Sequence, residues 1–121
     1  MSFDETQVAL EEWIAELPQE IFKGLNCGVS LIPDTLYDNN GLLILGQYHY
    51  EPRGLGRYIT INYGSIMAAH GYLPHDAFKE KVKKVLYHEL VHHLEHQAGD
   101  RSLEIQDAID ISKMLMDRKR R

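Results

Sequence analysis

Apolar residues recur at helical spacing in three stretches of the chain. Leu10, Trp13, Ile14 and Leu17 follow i, i+3, i+4, i+7, which predicts a helix over residues 4–17 that Pro18 ends. Phe78, Val82, Val85, Leu86, Leu90 and His93 mark a second stripe, inside a longer helix predicted over residues 74–98. Pro74 suits its first position and Gly99 its stop. A third stripe, with Ile105, Ala108, Ile109, Ser112 and Met116 on one side, predicts a last helix over residues 102–116.

Between the first two stripes the period drops to two. Residues 58–63, Tyr-Ile-Thr-Ile-Asn-Tyr, alternate and are rich in β-formers, so they predict a strand. Residues 29–32 and 42–50 predict two more. The turns between them are marked by Asp38-Asn39-Asn40-Gly41 and by Pro52, Gly54 and Gly56. Gly46 interrupts one candidate strand, a sign of a bulge or of a close backbone approach. Short helical segments fit residues 19–23 and 65–70. The order is helix, strands, then helices, which is α+β.

Composition adds boundaries to that picture. A chain of 121 residues is expected to form one domain, residues 1–121, around a single modest core. The formal net charge of −5 argues against generic nucleic-acid binding. The basic end, Arg118-Lys119-Arg120-Arg121, reads as a solvated tail. Lys79, Lys81, Lys83 and Lys84 read as the wet side of the 74–98 helix. Cys27 is the only cysteine, so neither an intramolecular disulfide nor a thiolate zinc cluster is expected. It reads as a small buried residue at a strand start. The N-terminus is acidic and amphipathic, unlike a signal peptide, and no apolar run approaches the ~20 residues that span a bilayer. A cytoplasmic protein is expected, with no membrane partner.

The chemistry sits in the second helix. His88-Glu89-Leu90-Val91-His92 is HExxH. Positions i and i+4 of a helix share a face, about 6 Å apart along the axis. Two imidazoles there can converge on one zinc ion, beside a glutamate able to take a proton from water. A zinc hydrolase is expected, with zinc as cofactor at one ion per chain and Glu89 as general base. His96 shares the face but stands roughly 12 Å from His88 along a straight helix, too far to share the metal.

With these residues in place the chain resembles the minimal zincin-like metallopeptidases, small bacterial proteins whose pattern extends to HExxHxxGxxD. The likeness is clearest from Pro52-Arg53-Gly54-Leu55-Gly56-Arg57-Tyr58-Ile59-Thr60-Ile61, through Leu73-Pro74, to the motif and its doubled His92-His93. It implies a three-stranded mixed sheet packed against helices. The chain departs from the pattern where the third ligand belongs: Glu95 stands for the glycine and Ala98 for the aspartate. Gly99-Asp100 follows slightly later. The resemblance leaves two candidates for the third metal ligand. Asp100 lies just past the helix stop, and Glu104 lies on the next helix, where Asp107 one turn on would orient a ligating histidine.

The function so implied is zinc-dependent hydrolysis of peptide bonds in peptides or unfolded protein segments. An extended substrate would pair along an edge strand, for which residues 58–63 are the candidate, with Tyr58, Thr60 and Asn62 as substrate-binding residues. Arg53, Arg57 and His49 would reach the site from loops. Met114 and Met116 have helical spacing and read as core. The alternative is a non-catalytic metal-binding or partner-binding module on the same scaffold. An intact Glu89 favours the enzyme, since a purely structural site does not need it.

Overall fold

The computed structural model describes residues 1–98. Over them the chain forms α1 (Phe3–Glu16), a 3-10 turn (Gln19–Phe22), β1 (Val29–Ile32), β2 (Gly46–Glu51), β3 (Gly56–Asn62), α2 (Tyr63–His70) and α3 (His75–Ala98). This is α+β, with a three-stranded mixed sheet and three helices among the described residues. The helix expected over residues 102–116 lies outside them.

Helix α1 starts on a capping box. Ser2 Oγ accepts from the Glu5 backbone N–H at 3.1 Å, and Glu5 Oε1 accepts from the Ser2 N–H at 2.9 Å. Its stripe buries Ala9, Leu10 and Trp13, and Leu17 beyond its end is buried too. Replacing Ser2 by alanine removes the acceptor and should cost about 1 kcal/mol. A thermal melt followed by circular dichroism should then shift down by about 3–6 °C; an unchanged midpoint would show that the box contributes nothing.

Strand order is β1-β3-β2. β2 and β3 form an antiparallel hairpin, with Gly46 opposite Ile61 and Tyr48 opposite Ile59. β1 joins the other side of β3 in parallel, with Val29 opposite Ile59. The strand expected as an edge is therefore the centre of the sheet. β3 earns that place by its alternation: Ile59 and Ile61 are fully buried, and a strand that buries one face completely is best paired on both sides.

Pairing register sorts the sheet's two faces. Gly46, Tyr48 and Tyr50 of β2 share a face with Arg57, Ile59 and Ile61 of β3, and this face meets α3. The other face carries His49, Tyr58 and Thr60. Helix α3 inserts Phe78, Val82, Leu86, Leu90 and Leu94 into the core, where it also meets α1 and α2. Burying a Leu or Phe side chain there contributes roughly 1.5–3 kcal/mol each. Tertiary packing thus holds the helix straight through the motif.

Cys27 is exposed rather than buried. It lies in the turn before β1, next to Gly28 at φ +65°, ahead of the strand's alternation. No helix among the described residues is long and apolar enough to cross a membrane.

Candidate metal centre

His88 and His92 stand one turn apart on the solvent side of α3, both exposed. Their rings are perpendicular, with centroids 4.4 Å apart. The two Nε2 atoms lie 2.9 Å from one another. At that distance one ring donates a proton and the other accepts it. A divalent cation held by both lone pairs would take the place of that proton and leave both rings protonated on Nδ1. The pair therefore fits two corners of a tetrahedral zinc site.

Glu89 follows His88 by one residue, about 100° round the helix. It points inward and is only 7% exposed. Its neighbour is β2 at Gly46: a Cβ built there would lie 2.7 Å from Val85 Cγ1, 3.1 Å from Glu89 Cγ and 3.4 Å from Glu89 Oε2. The expected close backbone approach at Gly46 is thus real, and it seats the carboxylate. Burial raises the Glu89 pKa above its ordinary value, while His88 and His92 pull it partly back. A carboxylate raised in this way is a better base near neutrality than an exposed one.

Two clefts flank Glu89. The first, of about 550 Å³, lies between the chain entering β2 (Leu43–Gly46) and α3 at Lys81, Lys84 and Val85, with His70 at its side. The second, also about 550 Å³ and more open, is bounded by Gln47, Tyr48, His92 and His96. His88 and Glu89 line both, so the motif stands at their divide.

Beyond the pair, β2 supplies Tyr48. Its Oη lies 3.0 Å from His93 Nδ1 and 3.2 Å from His96 Nδ1. The phenol has one proton to give. His93 is fully buried, and its Nε2 donates to the Lys23 carbonyl at 3.0 Å, which leaves Nδ1 as an acceptor for the phenol. Burial lowers the His93 pKa and keeps the ring neutral. His96 Nδ1 accepts from Arg57 Nε–H at 3.2 Å, and Arg57 lies over the Tyr50 ring. His93 and His96 are therefore engaged with the sheet, not with the His88–His92 pair.

The other expected site residues fall elsewhere. Asp100 and Glu104, the two residues expected to offer a third ligand, and Asp107 lie outside the described residues. Among the described residues, no group of three or more His, Cys, Asp or Glu side chains is placed to hold a metal. Tyr58, Thr60 and Asn62 do not line an open edge. β3 has partners on both sides, so its backbone cannot pair with a further strand. Tyr58 stacks on His49 and donates to Glu51, and Thr60 Oγ1 bonds His49 Nε2 at 2.9 Å, all on the face away from α3. Asn62 is fully buried and donates to the Ile44 carbonyl at 2.8 Å. His49 and Arg53 line neither cleft, and Arg57 reaches His96 alone of the motif helix's exposed histidines. Among the described residues, the sheet edge beside α3 that no further strand covers belongs to β2.

Two cleft residues escaped the sequence. Tyr48 was detectable in principle, because it shares the parity of Gly46. His70 closes α2 and carries no motif. Comparison with known protein families, with curated proteins and with solved structures returns no match.

Proposed function

We propose that this chain is a zinc-dependent peptidase of the minimal zincin-like type. The observation that carries the reading is the convergence of His88 and His92 Nε2 beside a buried, proton-hungry Glu89 at the divide of two clefts. His88 and His92 would hold the metal, with a third donor from beyond residue 98. When bound, zinc supplies Lewis acidity towards a water and towards the substrate carbonyl.

The remaining chemistry belongs to the chain. An extended peptide pairs with the outer edge of β2, which sets the scissile carbonyl over the divide. Glu89 takes a proton from the attacking water and returns it to the departing amine. Gly46, with no Cβ, lets β2 approach closely enough to seat the carboxylate beside the histidines. Burial raises its pKa and so makes it a stronger base than an exposed glutamate.

A second reading is a metal-binding module without turnover. It is favoured by the departure from the zincin pattern, with Glu95 in place of the glycine and Ala98 in place of the aspartate. Metal analysis separates both from a metal-free protein. Protein purified without added metal should hold about one zinc per chain, and the His88→Ala/His92→Ala variant should hold none. A folded protein devoid of zinc would overturn both readings. A zinc-loaded protein that leaves a broad library of unstructured peptides intact, followed by mass spectrometry, would select the module.

A further inference from the structure

The cleft on the Lys81 side of Glu89 has a charge opposite to that of the chain. The protein carries −5 overall, yet this cleft is lined by two lysines and two histidines, with Glu89 the only carboxylate among the described residues. The four lysines of α3 part company here. Lys83 reaches over Trp13 and Tyr87 towards α1, and Lys79 borders the groove beside α1. Lys81 and Lys84 turn into the cleft, and neither has a carboxylate within ion-pair distance among the described residues. With His88 they occupy i, i+3 and i+7, a single stripe of the helix that ends on the proposed metal ligand. Lys84 is one turn from His88, about 6 Å along the axis. The opposite wall is apolar: Leu43, Ile44 and Leu45, facing Val85. In the side of the cleft, His70 Nδ1 is buried with no hydrogen-bond partner.

We infer that this cleft takes the acidic side chain of a peptide, one residue from the bond to be cut, and so selects aspartate- or glutamate-bearing substrates. The inference rests on the peptidase reading for the bond, but not for the binding. The aliphatic stem of a glutamate lies along Leu43–Leu45 and Val85, and its carboxylate meets Lys84 and Lys81. A lysine-bearing peptide would place like charge against two unpaired cations, and the cleft rejects it. Peptides paired on β2 run past Gly46 directly into this space, because the chain entering β2 forms its wall.

Binding tests the inference without turnover. Blocked, fluorescently labelled peptide pools would carry Glu, Gln or Lys at one fixed position in a random neutral background. Anisotropy titrations against the full chain should show the Glu pool bound about fivefold more tightly than the Gln pool at low salt. The Lys pool should bind weakest, and the preference should shrink in 0.5 M salt, where screening is about 4 Å or less. The Lys81→Glu/Lys84→Glu variant should reverse the order and favour the Lys pool. The milder Lys81→Gln/Lys84→Gln variant should level it, which covers the case that the charge reversal misfolds. Reversal also separates this cleft from direct carboxylate binding to zinc, which the lysines would not affect. Equal binding of the Glu and Gln pools overturns the inference, as does a Glu preference that survives both variants. So does a neutral pool with a free C-terminus that matches the blocked Glu pool, because a chain end would then be the occupant. If the order and its reversal hold but no pool is cleaved, the peptidase reading fails and the acidic-peptide site stands.

Discussion

Glu89→Gln should lower turnover of any cleaved peptide by about 10²–10⁴-fold while leaving zinc content unchanged. The substitution keeps the shape of a side chain that is 7% exposed and packed against β2. It removes only the capacity to accept a proton. His88 and His92 are untouched, so the proposed metal site keeps both histidines. A variant that lost both zinc and activity would show that Glu89 organises the site and does not act as its base.

The same variant has a stability signature with a definite sign. In the metal-free protein the Glu89 pKa is raised by burial above the unfolded value near 4.5. Between those two values the folded state binds more protons than the unfolded state, so stability falls as pH rises. Below the unfolded pKa the carboxyl is neutral in both states and carries no penalty. Above the folded pKa the penalty is complete. Glutamine never ionises and escapes it. The variant's melting temperature should therefore match wild type near pH 4 and exceed it increasingly as pH rises towards neutrality. A gap between the two that stays flat from pH 4 to pH 8 would mean that Glu89 is not desolvated.

The part of this site that the sequence exposes is the part built by local rules. The α3 stripe and the HExxH spacing depend on a helical period alone, and Pro74 and Gly99 bracket the helix observed over His75–Ala98. Strands β1 and β3 emerge within a residue or two of their expected bounds, and Gly46 proves to be a point of contact. Sheet order was not legible. The parallel pairing of β1 with β3 joins residues 30 apart, and no local pattern says that β3 will be flanked on both sides. That misplacement put the expected edge on β3, the central strand, together with Tyr58, Thr60 and Asn62. The lysines illustrate the same limit. Their periodicity gives a polar face, but only the positions of β2 and α2 decide that Lys81 and Lys84 enter a cleft and Lys83 does not. The zincin resemblance rests on the motif and its flanking sequence, and Asp100 and Glu104 lie outside the described residues.

Gly46→Val should lower both stability and activity, and the two losses share one cause. Gly46 is not a glycine of necessity for its backbone, since its φ is not positive. Space is the constraint. Even a bare Cβ would lie 2.7 Å from Val85 Cγ1 and 3.1 Å from Glu89 Cγ. Neither atom is the loose end of a long side chain. Val85 is stiff at χ1, and Glu89 Cγ is held by burial on α3. Relief must come from β2 moving off the helix, against its pairing with β3 at Ile61. Overpacking of this kind costs typically about 1–3 kcal/mol. The displacement also removes the wall of β2 that seats the Glu89 carboxylate, and a misplacement of about 1 Å in a reacting group can cost about 10²-fold in rate. Activity should thus fall by about that factor in protein that still melts cooperatively and still binds zinc through His88 and His92. A valine variant with wild-type kcat/KM and an unchanged melt would show that β2 stands further from Glu89 than described, and would remove the basis for seating the general base against the strand.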